Sequence, residues 1–305
     1  VIKVLISTKK FKGGPSIFRN RIAAALNAID DIEVVRRHEE KFDIELSVIR
    51  HLNEHKKPKI LRVDGCYYTS GNLKMNNGLA KAMRQANHVI FQSYFSKKMC
   101  YSILKMKPKH HSTIRNGIDF DYVDRIRVHE NIPPGSFAAA ASWRDSKRPE
   151  SMLNGFVKSG VKGHFYVIGS GINHKWKNHK NIHLMGACSE VETIGIMKAC
   201  DYMLHLCYID SCPNAVVEGL ACNLNVLCTN LGGTKELVED SGIVMEVDKW
   251  SGKPVNTKSF DSLSADKIAR GIRQLIALPK HERRDDINIK NVAEKYAKVI
   301  RQVVS

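Results

Sequence analysis

Short apolar runs alternate with amphipathic stretches along the 305-residue chain, and this alternation limits the fold more than any other feature. In the first half the strand candidates are 1–7, 32–36, 43–48, 59–64, 88–92 and 111–115, with helices near 15–29, 72–86 and 94–106. The stretch "VHENIPPGS", 128–136, is a proline-containing break that reads as an interdomain linker. Strands recur at 137–142, 164–168, 181–185, 201–207, 224–229 and 242–246, and "NVAEKYAKVIRQVV", 291–304, closes the chain as an amphipathic helix. Two successive βα series predict an α/β protein of two Rossmann-like, doubly wound parallel-sheet domains. The expected domains are 1–132 and 133–290, with 291–305 a helix packing back toward the first. Ligands of such sheets bind beyond the carboxyl ends of the strands, so a site is expected in a cleft between the two.

The net charge of +17 is uneven: residues 1–132 hold 25 Lys/Arg against 13 Asp/Glu, leaving 23 against 18. Such an excess attracts polyanions, anionic lipid headgroups or phosphorylated small molecules. A nucleic-acid or membrane-surface module needs a concentrated cationic face with interleaved aromatics. "YFSKKMCYSILKMKPKHH", 94–111, is the best local candidate, but the excess is otherwise spread out. No stretch approaches the roughly 20 apolar residues of a membrane span. The first residues, "VIKVLISTKK", look like a buried strand and lack a signal-peptide layout. Eight cysteines are scattered without a CxxC pair, which predicts reduced core thiols and a cytoplasmic location.

Local chemistry concentrates in "DSCPNAVVEGLACN", 210–223. A strand ends at Asp210, and Pro213 suits the first turn of the following helix. A helix start exposes unpaired N–H groups, a ready anion site. Asn214 and Glu218 share a face opposite Val216 and Val217, and helical side chains lean toward the N-terminus. Glu218 is thus placed to accept hydrogen bonds from sugar or ribose hydroxyls beside a phosphate, or to pair with a core Arg or Lys. In "FAAAASWRDSKRPE", 137–150, Arg144, Lys147 and Arg148 follow a strand of small residues. Those cations either neutralise a diphosphate leaving group or form a solvated charged loop. Glycine loops follow strands at Gly13–Gly14, in "VIGSG" (167–171) and in "TNLGGTKELV" (229–238). The "GSG" lacks a third glycine in dinucleotide register, which argues against a nicotinamide site. No HExxH or paired Cys/His spacing frames the thirteen histidines, so no metal site is expected.

Together these segments resemble the retaining nucleotide-sugar glycosyltransferases of family 4, which have the GT-B fold. The resemblance covers nearly the whole chain and is strongest over 137–245, where "SWRDSKRPE", "HFYVIGSG", "NIHLMG", "DYMLHLCYIDSCPNAVVEGLA" and "LGGTKELV" stand in family order. It implies that Arg144 and Lys147 clamp the donor diphosphate. Asp210 and Glu218 match the two acids of the family's E-x7-E signature, with Asp one methylene shorter in first place. The first acid approaches the donor sugar and the second the nucleotide ribose. Ser211, Cys212, Pro213, Asn214 and Ala215 are implied donor contacts, Gly13 and Gly14 would lie under the diphosphate, and Glu236 matches the glutamate after the paired glycines. Asp64, in "RVDG", stands where the family often has a histidine. It either orients or deprotonates the acceptor hydroxyl or simply forms an Asp-Gly turn. "DFD", 119–121, imitates an Asp-x-Asp metal motif but reads as a helix-start acid pair.

The implied reaction is hexosyl transfer from a UDP or GDP sugar to a hydroxyl of a glycan, glycolipid or glycoprotein, with retention and without metal or other cofactor. An epimerase or hydrolase on the same fold is the runner-up. Nucleic acid is not expected as a partner, whereas peripheral contact with an anionic membrane is kept open.

Overall fold

Near-continuous Val/Ile/Leu runs suit strands covered by helices on both faces, the situation of a parallel sheet. The computed structural model describes residues 1–6, 13–36, 41–49, 55–247, 249–256 and 262–305. Six parallel strands form the first sheet: β1 (Ile2–Ile6), β2 (Ile32–Val35), β3 (Ile44–Val48), β4 (Lys59–Val63), β5 (His88–Phe91) and β6 (His111–Thr113). Their order is β2-β1-β3-β4-β5-β6. Every residue of β3 and β4 is buried, as two covered faces require. Helices α1 (Gly14–Leu26), α2 (Asn76–Gln85) and α3 (Tyr94–Leu104) accompany them. The helix expected over 72–86 is divided, with a 3-10 helix at Ser70–Met75 ahead of α2. Its cause is local: the Asn76 amide donates to the Tyr67 carbonyl at 2.8 Å and accepts from the Tyr67 N–H at 2.9 Å.

The second sheet contains β7 (Phe137–Ala140), β8 (Phe165–Ile168), β9 (Ile182–Gly186), β10 (Tyr202–His205), β11 (Asn225–Thr229) and β12 (Gly242–Met245). The order β12-β11-β10-β7-β8-β9, again all parallel, reverses direction between β7 and β10. Around it lie α4 (Phe120–Arg125), α5 (Pro149–Ser159), α6 (Glu190–Ala199), α7 (Asn214–Ala221), α8 (Thr234–Val238) and α9 (Ala265–Ile276). The last helix, α10 (Ile289–Val304), packs on α1 and contributes Val292, Tyr296 and Ile300 to the core of the first sheet. The fold class is therefore the expected one, two Rossmann-like units each built on a six-stranded parallel sheet.

The chain divides into Val1–Asp119, Trp250–Thr257 and Asp285–Ser305 on one side, and Phe120–Lys249 with Lys258–Arg284 on the other. The division thus falls at 119/120, ahead of the expected 132/133. Lys198 explains the difference, since its ammonium donates to the carbonyls of Val123, Asp124 and Ile126 at 3.0, 3.1 and 2.6 Å. Arg283 adds an ion pair to Asp124 at 2.6 Å. Residues 285–290, expected in the second domain, belong to the first: Ile118 exchanges backbone hydrogen bonds with Ile287 and Ile289, and Arg115 pairs with Asp286 at 2.6 Å.

Candidate functional site

In a doubly wound sheet, ligands gather where the strand order reverses, outside the carboxyl ends of the two strands that flank the reversal. In the second unit those strands are β7 and β10. The loop after β7 carries Arg144 and Lys147, and the loop after β10 carries Asp210. Trp143 pins the first loop, its indole N–H donating to the Ile168 carbonyl at 2.9 Å. The loop then forms a 3-10 turn at Asp145–Lys147, and Tyr208 N–H reaches back to the Ser146 carbonyl at 2.8 Å. Arg148, buried and with φ of 53°, sets its guanidinium over the Tyr208 ring at 5.0 Å. These contacts tie the two loops together and deliver Lys147 Nζ to 2.6 Å from Asp210 Oδ2.

The paired glycines of "LGGTKELV" support this arrangement from behind. Gly233 N–H donates to the Asp210 carbonyl at 2.7 Å. Gly232 has φ of +83°, and a Cβ there would stand 2.6 Å from the same oxygen. Any side chain at 232 would be strained and would push Asp210 off its position.

Charge is concentrated in this corner. Burial works to raise the Asp210 carboxyl, but the ammonium of Lys147 outweighs it and holds the group below its ordinary value. Burial likewise works to lower Lys147, but the Asp210 carboxylate beside it keeps the ammonium above its ordinary value. The pair is therefore ionised at neutral pH. His205 is 7% exposed, and its Nε2, 3.9 Å from Asp210 Oδ2, has no hydrogen-bond partner among the described residues. Burial, helped by the charge of Lys147, pushes this imidazole down to about 4, so it is neutral at pH 7. Burial pushes the Cys207 thiol up.

The helix after this loop is α7, and Pro213 stands just ahead of it as the N-cap rather than inside its first turn. Its carbonyl accepts from the N–H groups of Val216 and Val217 at 3.1 and 3.2 Å. Ser211, Cys212 and Pro213 are buried, Asn214 and Ala215 half-buried. Glu218 is only 7% exposed, on a helix whose other face is closed by Val216, Val217 and Leu220. Glu236 sits in the first turn of α8 and is half-buried. Arg144 is exposed, with Nε donating to Ser146 Oγ at 3.1 Å.

In the first unit Gly13 caps α1 and Gly14 opens it, both exposed, while residues 7–12 of that loop lie outside the described residues. Asp64 follows β4 and pairs with Arg62 Nη1, and it accepts from Gln92 Nε2 at 2.6 Å. Arg62 is 1% exposed, lies 3.9 Å over the Phe18 ring, and donates from Nη2 to Asn116 at 2.6 Å. Two side-chain donors fix Asp64, more than an Asp-Gly turn requires. Asp119 and Asp121 flank the start of α4, with Asp121 in its first turn.

His205 and Cys207 were not read from the sequence as site residues. Strand alternation was the available signal: residues 205 and 207 are two apart at the carboxyl end of β10, so they return to one side. No metal or nucleophile spacing pattern contains them, because Asp210 joins them only through the following turn.

Against this geometry, residues 171–292 match the family model described as Glycosyl transferases group 1. This stretch is a glycosyl transferases group 1 domain. It includes Asp210, Glu218 and Glu236, whereas Arg144 and Lys147 precede it. A curated human protein, one of the subunits of phosphatidylinositol N-acetylglucosaminyltransferase, is 22% identical over 184 residues, 56% of this chain and 37% of that protein. The match therefore spans well under half of that relative's length. Among solved structures, Anabaena Alr3699/HepE in complex with UDP and glucose has a TM-score of 0.66 at 14% identity, covering 99% of this chain and 100% of that one. A glycosyltransferase from Rickettsia africae ESF-5 gives 0.65 at 14% identity, covering 100% and 99%. At such identities the likeness concerns the fold, and the fold is GT-B, with most of the matched stretch in the second Rossmann-like unit.

Proposed function

We propose that this chain transfers a sugar from a nucleoside-diphosphate sugar to an acceptor hydroxyl, with retention of configuration and without a metal requirement. The observation that carries the reading is the Lys147–Asp210 pair, 2.6 Å apart at the reversal point of the second sheet. A leaving diphosphate builds negative charge as the glycosidic bond breaks. Lys147, Arg144 and the N-terminus of α7 supply preorganised positive potential there. Asp210 is assigned to the donor sugar, Glu218 to the ribose hydroxyls, and the backbone of residues 211–215 to the phosphates. Glu236, Gly13 and Gly14 complete the donor contacts in this assignment. Asp64, held by Arg62 and Gln92, orients or deprotonates the acceptor hydroxyl.

HepE has been crystallised with UDP and with UDP-glucose, which puts UDP-sugars first among donors to test. The human relative's name joins N-acetylglucosaminyl transfer to phosphatidylinositol, which puts glycolipid acceptors first. No helix among the described residues is long and apolar enough to cross a membrane. The deciding experiment is a screen of UDP-, GDP- and ADP-sugars by thermal stabilisation, followed by product analysis with EDTA present. Stabilisation by one nucleotide class and acceptor-dependent release of the nucleoside diphosphate are expected. Absence of stabilisation by every nucleotide sugar overturns the reading. Sustained release without acceptor assigns the chain to the hydrolases instead.

A further inference from the structure

His205, Cys207 and Asp210 present an imidazole nitrogen, a thiol sulfur and a carboxylate oxygen that all lie within 4.8 Å of one another. Among the described residues this is the one such grouping of His, Cys, Asp or Glu. It is a built corner rather than a surface cluster, since His205 and Cys207 are buried and Asp210 is half-buried. His205 Nε2 is buried there without a hydrogen-bond partner. His205, Cys207 and Lys147 also line a small cavity of about 10 Å³, close to the room one water needs. A cation already occupies the corner: the Lys147 ammonium, 2.6 Å from Asp210.

We propose that His205, Cys207 and Asp210 form a binding site for a thiophilic divalent cation, Zn²⁺ by preference, and that this ion competes with the Lys147 ammonium and so inhibits the protein. One nitrogen, one sulfur and one oxygen donor make a borderline-soft set that suits zinc and disfavours Mg²⁺ or Ca²⁺. Donors at roughly 2.0–2.3 Å from a tetrahedral zinc stand about 3.3–3.8 Å apart, so a contraction of about 1 Å closes the tripod. Three protein ligands leave a fourth position for water. On binding, the Cys207 thiol loses its proton to solvent. The Lys147 ammonium keeps its proton and leaves the tripod, and Asp210 exchanges one positive partner for another. Zinc binding rests on this geometry alone, and only the inhibition rests on the proposed transfer reaction.

The test is zinc binding by the intact, reduced chain, measured in competition with a chromophoric chelator, with Co²⁺ as a spectroscopic probe. One tight equivalent per chain is expected, with a thiolate-to-cobalt charge-transfer band. Cys207→Ser and His205→Gln should each weaken binding by at least about 10-fold, and Cys207→Ser should abolish the band. Lys147→Ala should bind zinc more tightly than the unaltered chain, because the resident ammonium is gone. Surface histidines acting as incidental ligands would not respond in this way. No tight equivalent in the unaltered chain, or unchanged affinity in a folded Cys207→Ser variant, overturns the site. Unchanged or weaker binding in Lys147→Ala overturns the competition. If the Cys207 variants do not fold, the cobalt band of the unaltered chain and its response to Lys147→Ala still decide. Loss of transfer activity in zinc, restored by chelator, is read separately, so a failed assay leaves the binding result standing.

Discussion

Lys147 and Asp210 are 63 residues apart in sequence and 2.6 Å apart in the folded unit. If Lys147 stabilises the departing diphosphate, Lys147→Ala should lower kcat at least about 10²-fold. The same change leaves Asp210 without its nearest cation, so melting temperature must be measured beside kcat. A fall in stability with unchanged turnover per folded molecule would remove Lys147 from the mechanism. Glu218 poses the complementary question, because a buried carboxylate either binds ligand or pairs internally. Glu218→Gln keeps the shape and loses charge-assisted hydrogen bonds worth about 1.5–3 kcal/mol. Nucleotide affinity should drop by roughly 10–100-fold in a calorimetric titration with the nucleoside diphosphate alone. A lower melting temperature with full nucleotide affinity would assign Glu218 to a core ion pair instead.

Helices α5 and α9 meet closely because α5 has no side chain at its contact point. A Cβ on Gly155 would stand 2.3 Å from Ile268 Cγ2. Gly→Ala inside a helix normally adds stability of about 1 kcal/mol from backbone entropy. Gly155→Ala should instead destabilise by about 1–3 kcal/mol through overpacking, seen as a lower urea midpoint. A midpoint that rises would show the two helices free to separate. Another element-level test concerns β5 and β6, where His88 Nε2 lies 3.1 Å from Ser112 Oγ. Burial, then the neighbouring His110 and His111, hold His88 below its ordinary value of 6.5. Its folded form therefore binds protons less readily than the unfolded chain. The associated stability is present above 6.5 and is lost as the pH falls from there through the lower folded value. His88→Gln should flatten the stability–pH curve across that interval, measured by denaturant titration at several pH values.

At the level of the molecule, the first unit depends on the end of the chain. Tyr296 of α10 is fully buried, 6.0 Å from the Phe18 ring of α1, within a cluster that includes Ile22, Val292 and Ile300. Burying such side chains contributes roughly 1.5–3 kcal/mol each, so α10 is a large part of that unit's stability. Chains ending at Arg284 should lose the calorimetric transition of the first unit and keep that of the second. Two retained transitions would show that α10 is dispensable.

Periodicity was enough to place all twelve described strands within two residues at each end, since burial on both faces writes itself into consecutive apolar residues. The α/β class and the order of the cation loop, the acid-bearing helix and the paired glycines followed from the same local signals. The unit boundary did not, because it depends on Lys198 finding the carbonyls of Val123, Asp124 and Ile126 more than 70 positions away. Nor did the partners of Asp64, whose carboxylate is held by Arg62 two residues back and Gln92 on the next strand's end. The corner of Lys147, His205, Cys207 and Asp210 exists only once β7 and β10 are neighbours in the sheet. Spacing along a chain carries local conformation, whereas charge pairing and metal geometry depend on which loops the sheet topology brings side by side.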